Sequence, residues 1–331
     1  MKKKVLALTV AVLLLVSGSM AGCGAGAGAS DDDYVVKIGY FSDLCYAPTH
    51  IAIENGFFEA EGLKFEAIRV DPAVVGDSIA TNQIDAGMAL GAKFIQSLEN
   101  GLPLKFTSGI HTGCIKIVVP PDSGIASLED LKGKKIGVSG LVAPPALITM
   151  RALAARGIGV TSDNLEVEFI VYSNADLYVA LENGAIDAVA GSDPSVTIAE
   201  QQYNLTVLLD TAKDEPYKNE YCCLSFVTAS LAENHPELAA KYTRALMKAS
   251  AWVESNPAET ARIQVEKDYV TGDAKTNGAL LARYSYSPSV QGGYDAISNL
   301  VTEFNAIKLL DPSTDTDLLL KNSFVFLEGV D

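Results

Sequence analysis

Histidine is nearly missing from this chain, with three in 331 residues, and no Gly-x-Ser-x-Gly element accompanies any of them. His235 precedes Pro236 at a helix start and His50 falls inside a predicted helix, which leaves His111 alone in a loop. Hydrolysis by a nucleophile and an imidazole base therefore finds no support. Basic side chains are also scarce, 25 Lys and Arg against 41 Asp and Glu, for a formal charge of −16. Such a surface repels the phosphate backbone, which excludes nucleic acid as a partner. Beyond the first sixteen residues no apolar run is long enough to cross a bilayer, so the chain is not itself a channel or permease. The five cysteines contain no Cys-x-x-Cys spacing, and neither a metal nor a cofactor is assigned.

What is present begins with a leader. Lys2, Lys3 and Lys4 precede the apolar stretch Val5 to Val16, and small residues lead to Met20-Ala21-Gly22-Cys23. This reads as a signal peptide over residues 1–22. The four residues ending at Cys23 resemble the lipobox of bacterial lipoproteins, with Met20 where Leu is more usual. The resemblance implies acylation of Cys23 and an extracytoplasmic protein anchored to the membrane. Residues 23–33, rich in Gly and Ala and ending in Asp31-Asp32-Asp33, form a flexible tether. Its glycine spacing mimics a dinucleotide fingerprint, but no strand precedes it and no helix follows.

The mature chain carries an internal duplication. Ile84-Asp85-Ala86 recurs as Ile186-Asp187-Ala188, each time after a helix-like stretch ending in Asn or Gly and each time opening an apolar run. Asn and Gly tolerate the left-handed conformation at which a helix hands over to a strand. Two copies of one unit imply two similar α/β lobes, and the cleft between such lobes is the expected site for a small ligand. Strands are expected at 35–40, 64–70, 84–90, 104–109, 115–119, 135–139, 167–171, 186–190 and 205–210, with a loop over 110–114. From Asn234 onward the pattern is helical, with Leu238, Tyr242, Ala245 or Leu246, Ala249 and Trp252 or Val253 on one apolar face.

Several segments then fall in one order: Ala47-Pro48, Ala52 to Leu63, the first Ile-Asp-Ala, Leu128 to Ile136, the second Ile-Asp-Ala, and Asn234 to Asn256. In that order the chain resembles the substrate-binding proteins of ABC importers for nitrate, sulfonates, taurine and thiamine precursors. The resemblance implies a two-lobe periplasmic-binding-protein-like fold, with a ligand cleft between lobes joined by two hinge crossings. Lobe 1 would comprise 34–118 plus 225–331 and lobe 2 residues 119–224, the crossings lying near Val119 and Leu224. It further implies a monomer without enzymatic activity that captures a small organic or oxyanion solute, closes around it, and delivers it to a permease and its ATPase. A pyrimidine-synthase-like enzyme of the same fold and a ligand-sensing receptor subunit are the alternatives.

In α/β folds ligands sit beyond the carboxyl ends of the strands, where loops lead into helix N-termini. The corresponding loops are 42–48, 71–72, 91–93, 111–114, 140–145, 172–176 and 191–194. From them Asp43, Tyr46, Gly91, His111, Val142, Asn174 and Asp193 are expected to line the cleft. Lys93 and His111 are the only basic side chains in these loops, whereas Asp43, Asp71, Asp176 and Asp193 are acidic. Gly140 to Pro145 lacks the hydroxyl-rich turn of sulfonate binders. A neutral or cationic heterocycle stacked on Tyr46 is therefore a competing expectation to an oxyanion. Cys45 and Cys114 lie in the same loops and could pair, coordinate a soft ligand, or serve as small apolar residues.

Overall fold

Alternating strands and helices from Val36 onward assemble two mixed five-stranded sheets. The computed structural model describes Asp31 and residues 33–331. The leader, Cys23 and most of the tether lie outside the described residues, and Val35–Asp331 form one unit. Its strands are β1 (Val36–Tyr40), β2 (Phe65–Arg69), β3 (Ala86–Leu90), β4 (Leu104–Thr112), β5 (Ile115–Val119), β6 (Lys135–Val138), β7 (Val160–Thr161), β8 (Asn164–Leu165), β9 (Glu168–Val171), β10 (Ala188–Ser192), β11 (Thr206–Asp210) and β12 (Tyr221–Thr228). The first sheet has the order β2-β1-β3-β12-β4 and the second β11-β5-β10-β6-β9, while β7 and β8 form a separate hairpin.

The duplication read from sequence is a duplication of sheet halves. β1 is parallel to β2 and β3, as β6 is parallel to β9 and β10. Ile38 lies beside Ala86 in one sheet and Ile136 beside Ala188 in the other. The two aspartates do the same work: Asp85 accepts the Lys37 N–H at 2.9 Å and Asp187 the Lys135 N–H at 2.8 Å. Each carboxylate thereby satisfies the donor that opens the neighbouring parallel strand, a stronger role than the turn cap usual for Asp. A second repeat, Lys37-Ile38-Gly39 against Lys135-Ile136-Gly137, supplies the partner strands. Its glycines make room for the repeat's isoleucines, since a Cβ at Gly39 or Gly137 would meet the end of the Ile84 or Ile186 side chain at 2.8 or 2.3 Å and force it to shift. The handover residues Asn82 and Gly184 have φ of 54° and 69°.

The strand assignment corrects the expected lobe boundaries. β5 is hydrogen-bonded between β11 and β10, so residues 115–118 belong to the second sheet and the first crossing is at Gly113-Cys114. β12, absent from the expected strands, lies between β3 and β4 in the first sheet, so the second crossing spans 211–220. The two crossings are bonded to each other: Thr211 donates its N–H to the Ile115 carbonyl at 3.0 Å, and its Oγ1 accepts from Cys114 N at 3.2 Å.

The helical C-terminal part covers the first sheet. Helices Pro236–Ser255 and Val290–Ala306 lie against β4, and Leu238, Tyr242, Leu246, Ala249 and Val253 are buried as the apolar stripe requires. Thr243 on the first of these helices donates to Thr107 of β4, which shares a 2.7 Å hydrogen bond with Ser225 of β12. The second sheet has its own core around Val118, Leu177, Leu181, Val189 and Val196.

Candidate functional site

The carboxyl ends of the parallel strands in both sheets open on one cavity of about 410 Å³. Phe41, Asp43, Cys45 and Tyr46 reach it from the segment after β1, Ala89 and Leu90 from the end of β3, and Ser139 from the end of β6. The stretch Gly191 to Ser195 closes the opposite wall, with Asn174 beside it. Each of the seven loops expected from sequence contributes at least one lining residue.

Of the seven expected side chains, the structure brings Asp43, Tyr46, Asn174 and Asp193 to this cavity and leaves three away from it. Gly91 is packed under Leu224, Ile297 and Leu300, where even a Cβ would clash. Val142 is 64% exposed on the outer side of its turn, and Pro144 and Pro145 line the cavity in its place. His111 is fully buried because β4 runs on through Thr112, so it is a strand residue and not a loop residue. Reasoning from sequence passed over Phe41, Ser139, Ser192 and Ser195. The first three follow or end a strand and Ser195 opens the helix after β10, positions legible once the element ends are known.

Asp43 and Tyr46 are held before any ligand arrives. Asp43 accepts the Cys45 N–H at 3.0 Å at the start of the turn Leu44–Tyr46. Burial, and then the neighbouring Cys45 thiol, push its carboxyl up to about 7. Tyr46 donates its hydroxyl to the Met88 carbonyl, and its ring lies 4.6 Å from that of Phe41 at 48°. Asp193 accepts from Thr197 N and Oγ1 through one oxygen and from the Tyr284 hydroxyl at 2.8 Å through the other. Burial raises its pKa, against the pull of Thr197 and Lys116. Asp193 belongs to the second half and Tyr284 to the first, so this bond ties the two walls.

Positive charge at the cavity is limited to Lys93, which donates to the Pro72 carbonyl at 2.6 Å and whose pKa is lowered by burial. The helix Pro144–Ala154 points its start at the cavity, yet its first two residues are prolines without N–H groups. Pro194 likewise precedes the helix Ser195–Tyr203. The Pro144–Pro145 start thus presents two fewer donors than a helix start that ordinarily holds an anion, whereas Pro194, at the cap position, leaves the N–H groups of Ser195 and Val196 in place.

Beneath the cavity four thiols and an imidazole converge. Cys114 Sγ is 3.6 Å from Cys222 Sγ, which is 3.8 Å from His111 Nδ1, and the Cys45 thiol interacts with Cys114, Cys223 and His111. None of the four is in a disulfide. Hydrogen bonds from Cys114 and Cys223 draw the Cys45 and Cys222 thiols well below the usual range. Burial works against a charged His111, but the Cys222 and Cys45 thiols together outweigh it and raise the imidazole pKa.

A family model described as NMT1/THI5 like matches residues 45–260. The chain belongs to the NMT1/THI5-like family. A putative thiamine biosynthesis protein of Haemophilus influenzae is 32% identical over 162 residues, 47% of this chain and 50% of that protein, so the likeness spans about half the length of that relative. The formylaminopyrimidine-binding protein of Halalkalibacterium halodurans is 24% identical over 274 residues, 78% of this chain and 77% of that protein. Among solved structures, the periplasmic aliphatic sulphonate binding protein SsuA of Escherichia coli superposes with a TM-score of 0.71 at 17% identity, covering 90% of this chain and 94% of that one. This likeness establishes the periplasmic-binding-protein fold for the NMT1/THI5-like chain. No helix among the described residues is long and apolar enough to cross a membrane.

Proposed function

We propose that this chain is the extracytoplasmic solute-binding component of an ABC importer, anchored through an acylated Cys23, that encloses a neutral or cationic nitrogen heterocycle and hands it to a permease and ATPase. The observation that carries the ligand class is the pair Pro144-Pro145 at the helix start facing the cavity. It removes two backbone donors from the position where an oxyanion would bind. Asp43 and Asp193 meanwhile place two carboxyls at the cavity against one lysine. A carboxyl that titrates near neutrality can accept from an exocyclic amine and donate to a ring nitrogen, which pairs Asp43 with an aminopyrimidine edge. Phe41 and Tyr46 offer aromatic faces on which such a ring stacks. The named binding proteins among its relatives include one for formylaminopyrimidine, a ligand of this chemistry. The role proposed for the cavity is capture, with the solute released unchanged.

Calorimetric titration with aminopyrimidines, aliphatic sulfonates and nitrate, followed by mass spectrometry of the ligand, tests this reading. A saturable interaction with an aminopyrimidine recovered unchanged is expected, and Asp43→Asn with Phe41→Ala should weaken it at least about tenfold. Tight binding of a sulfonate or nitrate instead would overturn the ligand class, and chemical change of the ligand would overturn the binding role.

A further inference from the structure

We propose that His111, Cys114, Cys222 and Cys223 form a binding site for one soft d10 metal ion, Zn²⁺ or Cu⁺, in the floor of the solute cavity. The ligand atoms of His111, Cys222 and Cys223 lie within 4.8 Å of one another. Around a tetrahedral ion with metal–sulfur bonds of about 2.3 Å, neighbouring donor atoms are separated by roughly 3.7 Å. The separations already present are 3.6 Å between the sulfurs of Cys114 and Cys222 and 3.8 Å between Cys222 Sγ and His111 Nδ1. His111, Cys222 and Cys223 thus lie close enough to share one ion, and Cys114 Sγ, 3.6 Å from Cys222 Sγ, stands beside them as the fourth donor.

The strand bearing two of these thiols is irregular at the point where the site needs it. Adjacent residues of a regular strand point to opposite faces. The pairing of β12 with β4 shifts register between Tyr221 and Cys223 and again between Cys223 and Leu224. Through this irregularity Cys222 and Cys223 both turn toward His111. Bulges that re-aim side chains belong to built sites more than to passive packing.

His111 supplies a second, separate observation. It is 0% exposed, and its Nδ1, the nitrogen that faces Cys222 Sγ at 3.8 Å, has the Thr112 carbonyl at 3.3 Å, a separation at the weak end of the hydrogen-bond range. Thiolate and imidazole donors together select zinc or cuprous copper over hard cations. Cys114 and Cys223 also border the solute cavity, so the ion would lie next to the solute. The site stands on its own donors and does not depend on which solute the cavity holds.

The full chain, purified anaerobically with its thiols reduced, is dialysed against Zn²⁺ and separately against Cu⁺, and its metal content is measured. One equivalent should survive a competing chelator of moderate affinity. Co²⁺ in its place should show a thiolate charge-transfer band and the intense visible bands of a tetrahedral site. Cys222→Ser and His111→Gln should each lower the affinity by at least about tenfold. Should those variants fail to fold, alkylation of the wild-type chain decides: bound metal should slow the reaction of Cys222, the partly exposed thiol of the site, relative to the metal-free chain, and an equal rate would overturn the proposal. Absence of retained metal in the reduced protein would overturn the proposal, as would a Cys114–Cys222 disulfide in protein isolated from its own compartment. Aminopyrimidine binding by metal-free protein is measured in parallel, so loss of the metal site and loss of solute binding are read separately.

Discussion

Single residues here are decided by what partners burial leaves them. His50 donates from Nε2 to the Phe41 carbonyl at 3.0 Å and its Nδ1 accepts from Gln264 at 2.9 Å, so the neutral ring is fully satisfied. Burial, partly opposed by the Phe41 carbonyl and aided by the charge of Arg69, lowers its pKa to about 3. The unfolded chain therefore takes up the proton first. The contribution of neutral His50 is complete above about pH 6.5 and is lost as pH falls toward 3. Asp43 has the opposite sign, since its raised pKa penalises the folded state as pH climbs from about 4 to 7. The two slopes offset each other in the native chain. His50→Gln should unmask the Asp43 slope, so that stability declines by up to about 1.4 kcal/mol per unit between about pH 4 and 6. Urea unfolding across that range checks it. Asp85→Ala should lower stability by about 1–3 kcal/mol through the orphaned Lys37 N–H. Asp187→Ala should cost less, because Asp187 is more exposed, and the difference in urea midpoints measures the gap.

At the level of elements, close approach between backbones governs the packing. Helix Val290–Ala306 meets β4 with Gly293 against Gly109, where a Cβ would lie 2.2 Å from the Gly109 nitrogen. No rotamer relieves a clash with backbone. Gly293→Ala should thus destabilise by about 1–3 kcal/mol or more, read as a lower melting temperature. Elements also show how far sequence reading reached. The strands that alternate or follow a helix handover, β1 to β6 and β9 to β11, were legible because their signals are local, while the two-residue β7 and β8 carry no such signal. β12 was not: Tyr221 to Thr228 is buried on most of its length and is apolar without period. A strand covered on both faces has no polar side to mark it. His111 was misread for a related reason, since β4 continues past Gly109 only because β12 and the Ser289 backbone supply its partners.

The whole molecule is two sheets held by ties that cross between them. Arg151, with a side chain 2% exposed, pairs with Glu220 at 2.9 Å and with Glu303 of helix Val290–Ala306. Arg283 meets Asp210 at 2.5 Å, and Tyr284 meets Asp193. Losing one partner of a buried pair leaves the other charge uncompensated. Arg151→Met should accordingly favour separation of the halves. Small-angle scattering should show a larger radius of gyration for the solute-free variant, and saturating solute should bring variant and native chain to the same value. Equal radii without solute would show that this tie does not set the spacing.

The amino-acid order by itself determined the acidic body, the repeated unit, most strands and the loops that face the cavity. These follow from periodicity and turn chemistry within a few residues, where backbone hydrogen bonding acts. Only the tertiary structure decided that β5 joins the second sheet and β12 the first, that Val142 faces outward, and that Cys45, Cys114, Cys222 and Cys223 meet at His111. Those facts depend on pairings between segments far apart in the chain, and such pairings are chosen by how whole sheets close their edges and bury their faces.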